Sequence, residues 1–393
     1  METWAVLEPD FDVIVAGGGV CGLIAAREIA SSNLRVYVLE EDFEIGIPER
    51  CAGLISVKAL SSLGLFPSRK IVNNEIKRAL IHSPLGSKVE VEATNQRVIV
   101  LNRREFDREL ARIAERNGAF IDLGQKVLSV ENEDGLVKVK TAKYERSARI
   151  LVDARGLSSL KPKHGILQAA QYDIQGSWFE KDRVEVYLDN EANPGFFKWL
   201  IPLNHDTARL GVAGYSINPF EQLDKFAQDR KAKVMKKVAS PIFIGGTSRK
   251  FVHNSILYVG DAAGQTKPTT GGGIFTGGTG AVLAGRAISE SLINDDLSAL
   301  RNYEVNWRRI FGKEFTIMSQ ARKIYERMDN GRIDKMVKVL SSSNILDKLS
   351  NKADFDYHSI GISQILSIIK ERPSLALDLI KSGLGVMFDM FKS

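Results

Sequence analysis

The stretch FDVIVAGGGVCGLIAAREIASSNLRVYVLEED, residues 11–42, decides the fold. It opens on a short apolar run, Phe11 to Ala16, that stops at Gly17. Apolar residues then recur with helical spacing from Gly19 to Ile29, and a second strand-like run, Leu34 to Leu39, ends at Glu40. Strand, glycine turn, helix and strand in that order make a βαβ unit. Gly17, Gly19 and Gly22 form the GxGxxG of its turn. Glycines are needed there because the turn is tight, because a pyrophosphate must approach the backbone and because helix and strand pack closely. The helix N-terminus supplies N–H donors to the phosphate. Glu40 is placed to accept hydrogen bonds from an adenosine ribose. The acidic run Glu40-Glu41-Asp42 repels a 2'-phosphate, so FAD or NAD is expected and NADP is not.

Around this unit the chain has 393 residues, more than one hydrophobic core usually holds, so two or three packed regions are expected. Hydrophobic residues at 44% and charged residues at 26% are those of a folded globular chain. The net charge of +6 and pI near 9.1 are mild, and the densest basic run, Arg230 to Lys237, falls in a helical pattern that reads as a solvated face. Nucleic-acid binding is therefore not expected. Cys21 and Cys51 are too few for a disulfide framework and form no CxxC pair. The five histidines, His82, His164, His205, His253 and His358, lack metal-ligand spacing, so no metal is expected. The short apolar stretch Trp4 to Leu7 carries no secretory pattern, and no run reaches the roughly 20 apolar residues of a bilayer span. A cytoplasmic protein is the expectation.

Further along, residues 76–100 alternate in the manner of strands, 104–117 read as an amphipathic helix, and 126–130, 136–141 and 148–153 read as strands. From 166 to 215 several strands follow one another without a helix, which argues for a separate antiparallel sheet. Residues 219–238 read as helix, and only helical periodicity follows from 297. The expected architecture is α/β. A discontinuous Rossmann-like nucleotide-binding domain takes 1–75, 97–165 and 245–300. An inserted antiparallel β-sheet substrate domain takes 76–96 and 166–244, and a C-terminal helical region takes 301–393.

Residues 256–285, ILYVGDAAGQTKPTTGGGIFTGGTGAVLAG, resemble the closing flavin segment of the large FAD-dependent family that includes aromatic hydroxylases and geranylgeranyl reductases. The resemblance implies FAD. In it Gly260 and Asp261 would meet the ribityl chain, Pro268 would shape the loop beside the flavin, and Gly271, Gly272, Gly273 and Ile274 would bring backbone N–H groups to its pyrimidine edge. Asn102 to Leu110 resembles the family's R-x-x-[FL]-D-x-x-L helix start, which implies that Arg103 reaches FAD; the residues alone read as a solvated helix with a capping Asn. Asp153-Ala154-Arg155-Gly156 departs from the hydroxylases' Ala-Asp-Gly, with Arg155 in place of the acid.

Two segments resemble archaeal geranylgeranyl reductases. Ile45 to Ser56 is similar to their G-x-P-x-R-C-[AG]-x-x-[IL]-S loop. Phe197-Lys198-Trp199-Leu200-Ile201-Pro202, with Gly211-Val212-Ala213, is similar to their Y-x-W-x-F-P…G-x-G segment. The implied activity is saturation of C=C bonds in prenyl chains of membrane lipids or their precursors. Cys51 would be both a cofactor contact and the catalytic residue nearest the transfer step. Phe179, Phe197, Trp199 and Pro202, with Phe196, would form an apolar substrate wall; each aromatic read alone fits a core residue better. Reducing equivalents would come from NAD(P)H or a ferredoxin-like carrier, since no second GxGxxG follows a strand. The tail from Leu375 to Phe391 could lie on a bilayer, giving peripheral membrane contact, or pack on the body. A flavin monooxygenase, a halogenase and a non-catalytic flavin- or lipid-binding protein are the rival readings.

Overall fold

A computed structural model describes residues 8–341, apart from 95, 134 and 248, and residues 354–370. Among the described residues, eight strands form the nucleotide-side sheet. Its path runs Val252–His253, Ile256–Tyr258, Glu145–Asp153, Phe11–Ala16, Val36–Glu40 and Phe120–Leu123, with Leu136–Lys140 and Ser129–Glu133 attached beside Glu145–Asp153. The central pairings are parallel, Val13 standing opposite both Val36 and Ile150. Parallel strands need both faces covered, and Val13, Val15, Val36 and Val38 are accordingly fully buried or nearly so. Helix Val20–Ala30 is buried on almost every side because it lies between this sheet and helix Ile274–Ile293. Helix Arg103–Arg116 starts at Asn102, whose side chain accepts from Glu105 N at 3.2 Å, the cap its sequence suggests.

The second sheet runs Lys233–Ala239, Ile166–Gln175, Thr207–Gly214, Phe197–Pro202, Arg183–Leu188, Arg78–His82 and Lys88–Glu92. Strands from 76–96 and from 166–244 thus share one sheet. It is antiparallel except where Arg183–Leu188 runs parallel to Arg78–His82, the one junction that joins the two sequence segments. A small antiparallel sheet of Leu54–Ser56, Val98–Leu101 and Val72–Ile76 stands apart from both.

One expectation is corrected. Residues 219–238 are not one helix: the helix is Pro219–Asp229, and Lys233–Ala239 is an edge strand beside Ile166–Gln175. Lys231 adopts φ +53, a left-handed conformation that ends the helix. Val234 and Val238 suit either period, so the basic run is no helix face. Its exposed Lys233, Lys236 and Lys237 line a sheet edge, where lysine discourages pairing with another chain.

Among the described residues the C-terminal helices are Arg301–Glu326, Asn330–Leu340 and His358–Lys370. The expected bilayer-facing stretch from Leu375 to Phe391 lies outside the described residues, as does Trp4 to Leu7. Among the described residues no helix is long and apolar enough to cross a membrane.

Candidate active site

The glycine turn is closed by its own backbone. Gly17 donates to Leu39 O at 2.8 Å and holds φ +108, and a Cβ there would stand 2.6 Å from Ala154 O. A Cβ on Gly22 would collide with Gly17 O, whereas one on Gly19 would meet nothing within 4 Å. Space is open only where a phosphate has to approach, so the turn fits a dinucleotide. Glu40 closes the second strand. Its carboxylate accepts from Gly18 N at 2.5 Å and from Asp42 N at 2.8 Å, and burial raises its pKa against those two bonds.

The closing segment meets this turn through Cys21. Gly260, at φ +62, and Gly277 both face the Cys21 sulfur, and a Cβ on either would lie 2.7 or 2.8 Å from it. Burial and the Asp261 charge push the Cys21 thiol up to about 12, so it stays protonated and inert. Asp261 itself is open to solvent. The surrounding protein raises its carboxyl pKa, while the hydrogen bond from Thr266 Oγ1 at 2.6 Å and the Arg103 charge oppose the rise.

The loop that follows closes on itself, with Lys267 N to Gly272 O and Gly271 N to Lys267 O both at 2.9 Å. It delivers the chain into helix Ile274–Ile293, whose first turn has no side-chain cap. Uncapped N–H groups beside Asp261 suit the electron-rich edge of a flavin. Pro268 is buried in this loop, and Gly271, at φ +69, leads through Gly272 and Gly273 to Ile274, the first residue of the helix.

Arg103 joins the two halves. Its guanidinium pairs with Asp107 at 3.0 and 2.9 Å, its charge reaches Asp261 and Cys21, and Cys51 lies within its field. The Cys51 sulfur accepts from Gly53 N at 3.4 Å. Arg209, which the strand pattern did not single out, secures this loop. It donates to Cys51 O and Ala52 O at 3.2 Å each and to the Glu49 carboxylate at 2.8 Å. Asp173 supports it from the neighbouring strand at 3.4 Å. The available signal was position: Arg209 shares the inward alternation of Gly211 and Ala213 on a sheet strand, where a charge needs a partner.

Phe196, Phe197 and Trp199 form one aromatic cluster. Phe196 stacks on Phe197 at 4.1 Å, Phe197 meets Trp199 edge-on at 6.2 Å, and the Trp199 indole lies across Gly211, whose missing side chain makes room for it. A Cβ on Gly271 would stand 2.6 Å from Ile242 and 3.8 Å from the Phe196 ring, so this wall adjoins the closing loop. Phe179 does not join it. Phe179 packs with Tyr172, Leu200 and Leu210 on the opposite face of the sheet, because residues alternate along Phe197–Pro202 and Leu200 points away from Trp199. Pro202 shares the parity of Leu200, and its carbonyl accepts from the Asn74 amide at 2.9 Å. Arg155, the departure from the hydroxylase pattern, is paired in a fork with the Asp153 carboxylate at 3.1 and 2.7 Å.

No family model matches the chain. It is 32% identical over 375 residues to digeranylgeranylglycerophospholipid reductase 2 of Methanopyrus kandleri, an alignment that takes 86% of this chain and 92% of the relative. It is 30% identical over 359 residues to the digeranylgeranylglycerophospholipid reductase of Methanocaldococcus jannaschii, taking 85% and 91%. Among solved structures, a geranylgeranyl bacteriochlorophyll reductase-like protein of Thermoplasma acidophilum superposes with a TM-score of 0.83 at 24% identity, over 95% of this chain and 99% of that one. The glycine cradle, the closing loop and the Cys51 loop therefore stand in a chain whose likeness to these relatives is nearly end to end: it belongs to the digeranylgeranylglycerophospholipid reductase family.

Proposed function

We propose that this protein is an FAD-dependent reductase that saturates C=C bonds of geranylgeranyl chains in archaeal membrane lipids or their precursors. One observation carries the reading: the aromatic wall of Phe196, Phe197 and Trp199 adjoins the same Gly271 loop that closes the nucleotide cleft. An apolar aromatic surface would then lie beside the bound redox cofactor, as a hydrocarbon substrate requires. When bound, FAD supplies hydride to one alkene carbon, and a proton on the other completes the C–C single bond.

The chain's own residues bind, orient and shield. Gly17, Gly19 and Gly22 admit the pyrophosphate, Glu40 takes the ribose, and Asp261 with Gly260 takes the ribityl chain. The turn Gly271 to Ile274, shaped by Pro268, offers N–H donors to the pyrimidine edge. Arg103 sets a positive charge between Asp261 and Cys51. Phe197 and Trp199 hold the prenyl chain and exclude water. Cys51, fixed by Arg209 from behind, is the residue we place nearest the transfer. The domain division given by the sequence belongs to this reading. So do supply of electrons by NAD(P)H or a ferredoxin-like carrier and a cytoplasmic protein touching the membrane peripherally, where such lipids lie.

The test is mass spectrometry of lipids from cells with and without the gene. Prenyl chains gain two hydrogens per bond only when the gene is present, and the Cys51→Ala variant diminishes that gain. Unchanged saturation without the gene, or hydroxylated or halogenated products with it, would refute the reading.

A further inference from the structure

Arg322 touches both halves of the site from behind. It lies on helix Arg301–Glu326, is 6% exposed, and spreads its guanidinium between two backbone carbonyls: Nη1 donates to Pro268 O at 3.3 Å and Nη2 to Gly195 O at 2.6 Å. Pro268 belongs to the loop that closes the nucleotide cleft, and Gly195 immediately precedes the aromatic residues Phe196 and Phe197. Glu326, one turn on, pairs with the same nitrogen at 3.0 Å, and the guanidinium lies over the Phe196 and Tyr215 rings at 5.6 and 5.8 Å. Two neighbours on that helix face extend the tie. Tyr325 OH donates to Phe196 O at 2.9 Å, and the Met318 sulfur lies 3.4 Å from Thr269 Oγ1. A planar fork spanning two carbonyls fixes a distance in a way that a single ammonium on a flexible stem does not.

We infer that Arg322 is a positioning residue that sets the gap between the closing loop and the aromatic wall, the space in which a prenyl chain must lie against the cofactor. The inference rests on the reductase reading. It adds a residue outside the cleft, distant in sequence from every motif above, that controls registration of the two reacting partners while touching neither. Its loss would leave the cradle at Gly17–Gly22 in place and would relax the two segments that border the gap.

The experiment uses the full-length flavin-loaded protein as Arg322→Met and Arg322→Lys, with exposed Arg327→Met as control. The dithionite-reduced flavin is reoxidised anaerobically by a geranylgeranyl phospholipid or by ferricyanide, a small acceptor that needs no registered gap. For Arg322→Met the lipid-dependent rate at saturation falls about 100-fold, the effect of a displacement near 1 Å. The lipid KM changes little, the ferricyanide rate is unchanged, and Arg327→Met behaves as the parent. Arg322→Lys, able to hold one carbonyl at a time, loses part of the rate and carries the test should Arg322→Met not fold. Amide hydrogen exchange is the independent readout, and it rises together in 189–197 and 265–273 while 11–40 stays protected. An unchanged lipid rate, equal slowing with both acceptors, or faster exchange in only one of the two segments would overturn the inference. If the parent is not reoxidised by lipid at all, the reductase reading fails, and the exchange pattern alone decides whether Arg322 couples the segments.

Discussion

The glycine turn Gly17–Gly22 and the Cys51 loop both lie near Arg103 and are held in different ways. The turn is held by its own backbone and by Glu40 at the end of the next strand. The Cys51 loop is held by Arg209, a side chain 158 residues away in sequence, and the closing loop by Arg322, 54 residues beyond Pro268. The first kind of site is built by sterics that leave one conformation to the chain. The second is built by buried charge, and it exists only once distant strands and helices have come together. Nucleotide binding and substrate placement should therefore fail separately when mutated.

The sharpest break falls on the cradle. Gly22→Ala sets a methyl against Gly17 O, and purified protein should carry no flavin, read from the ratio of visible to 280 nm absorbance. Gly19→Ala, with nothing in its way, should fold normally and only crowd the phosphate, weakening flavin affinity about tenfold, or about 1.4 kcal/mol, by fluorescence titration. Equal loss from both would mean that the turn is not a steric cradle.

In the Cys51 loop, Arg209→Met leaves the Glu49 carboxylate and the carbonyls of Cys51 and Ala52 facing an apolar side chain. It should cost about 3–5 kcal/mol in denaturant unfolding, yet whatever folds should still bind flavin. Loss of flavin in proportion to stability would erase the distinction between the turn and the loop.

A smaller effect comes from the far side of the aromatic sheet. Glu185 is buried, which alone would raise its pKa, but hydrogen bonds from His82, Tyr187 and Arg183 outweigh burial and hold it at about 2 against an ordinary 4.5. A depressed carboxylate contributes stability that is complete above 4.5 and disappears as pH falls toward 2. Unfolding free energy should therefore drop by about 3 kcal/mol across that window, and Glu185→Gln should flatten the drop. The smallest effect belongs to the lysine edge: Lys236→Ser should change stability by no more than about 0.5 kcal/mol in thermal melts, because the side chain is exposed and leaves no buried partner behind.

What was legible in the sequence follows the same division. Gly17–Gly22, Glu40 and the Asp261 to Ile274 segment could be read because each depends on residues close in the chain. So could the cap at Asn102 and the run of strands from 166 to 215. Arg209 offered only its position on the strand and Arg322 only its i,i+4 pairing with Glu326, because the loop carbonyls that both bind are remote and carbonyls have no sequence signature. Phe179 was misplaced because aromatic character says nothing about which face of a sheet a residue takes. Only the alternation along Phe197–Pro202 and the packing of Phe179 on Leu200 decide that. The strand at Lys233–Ala239 was read as helix because Val234 and Val238 fit both periods, and pairing with Ile166–Gln175 chose between them.

The measurement that bears most directly on the central claim is anaerobic reoxidation of the dithionite-reduced, flavin-loaded protein by geranylgeranyl lipids, followed by flavin absorbance with mass analysis of the lipid. The account predicts return of the oxidised spectrum together with one two-hydrogen gain per flavin oxidised. A reduced spectrum that persists across prenyl lipids of differing headgroup and length would contradict it.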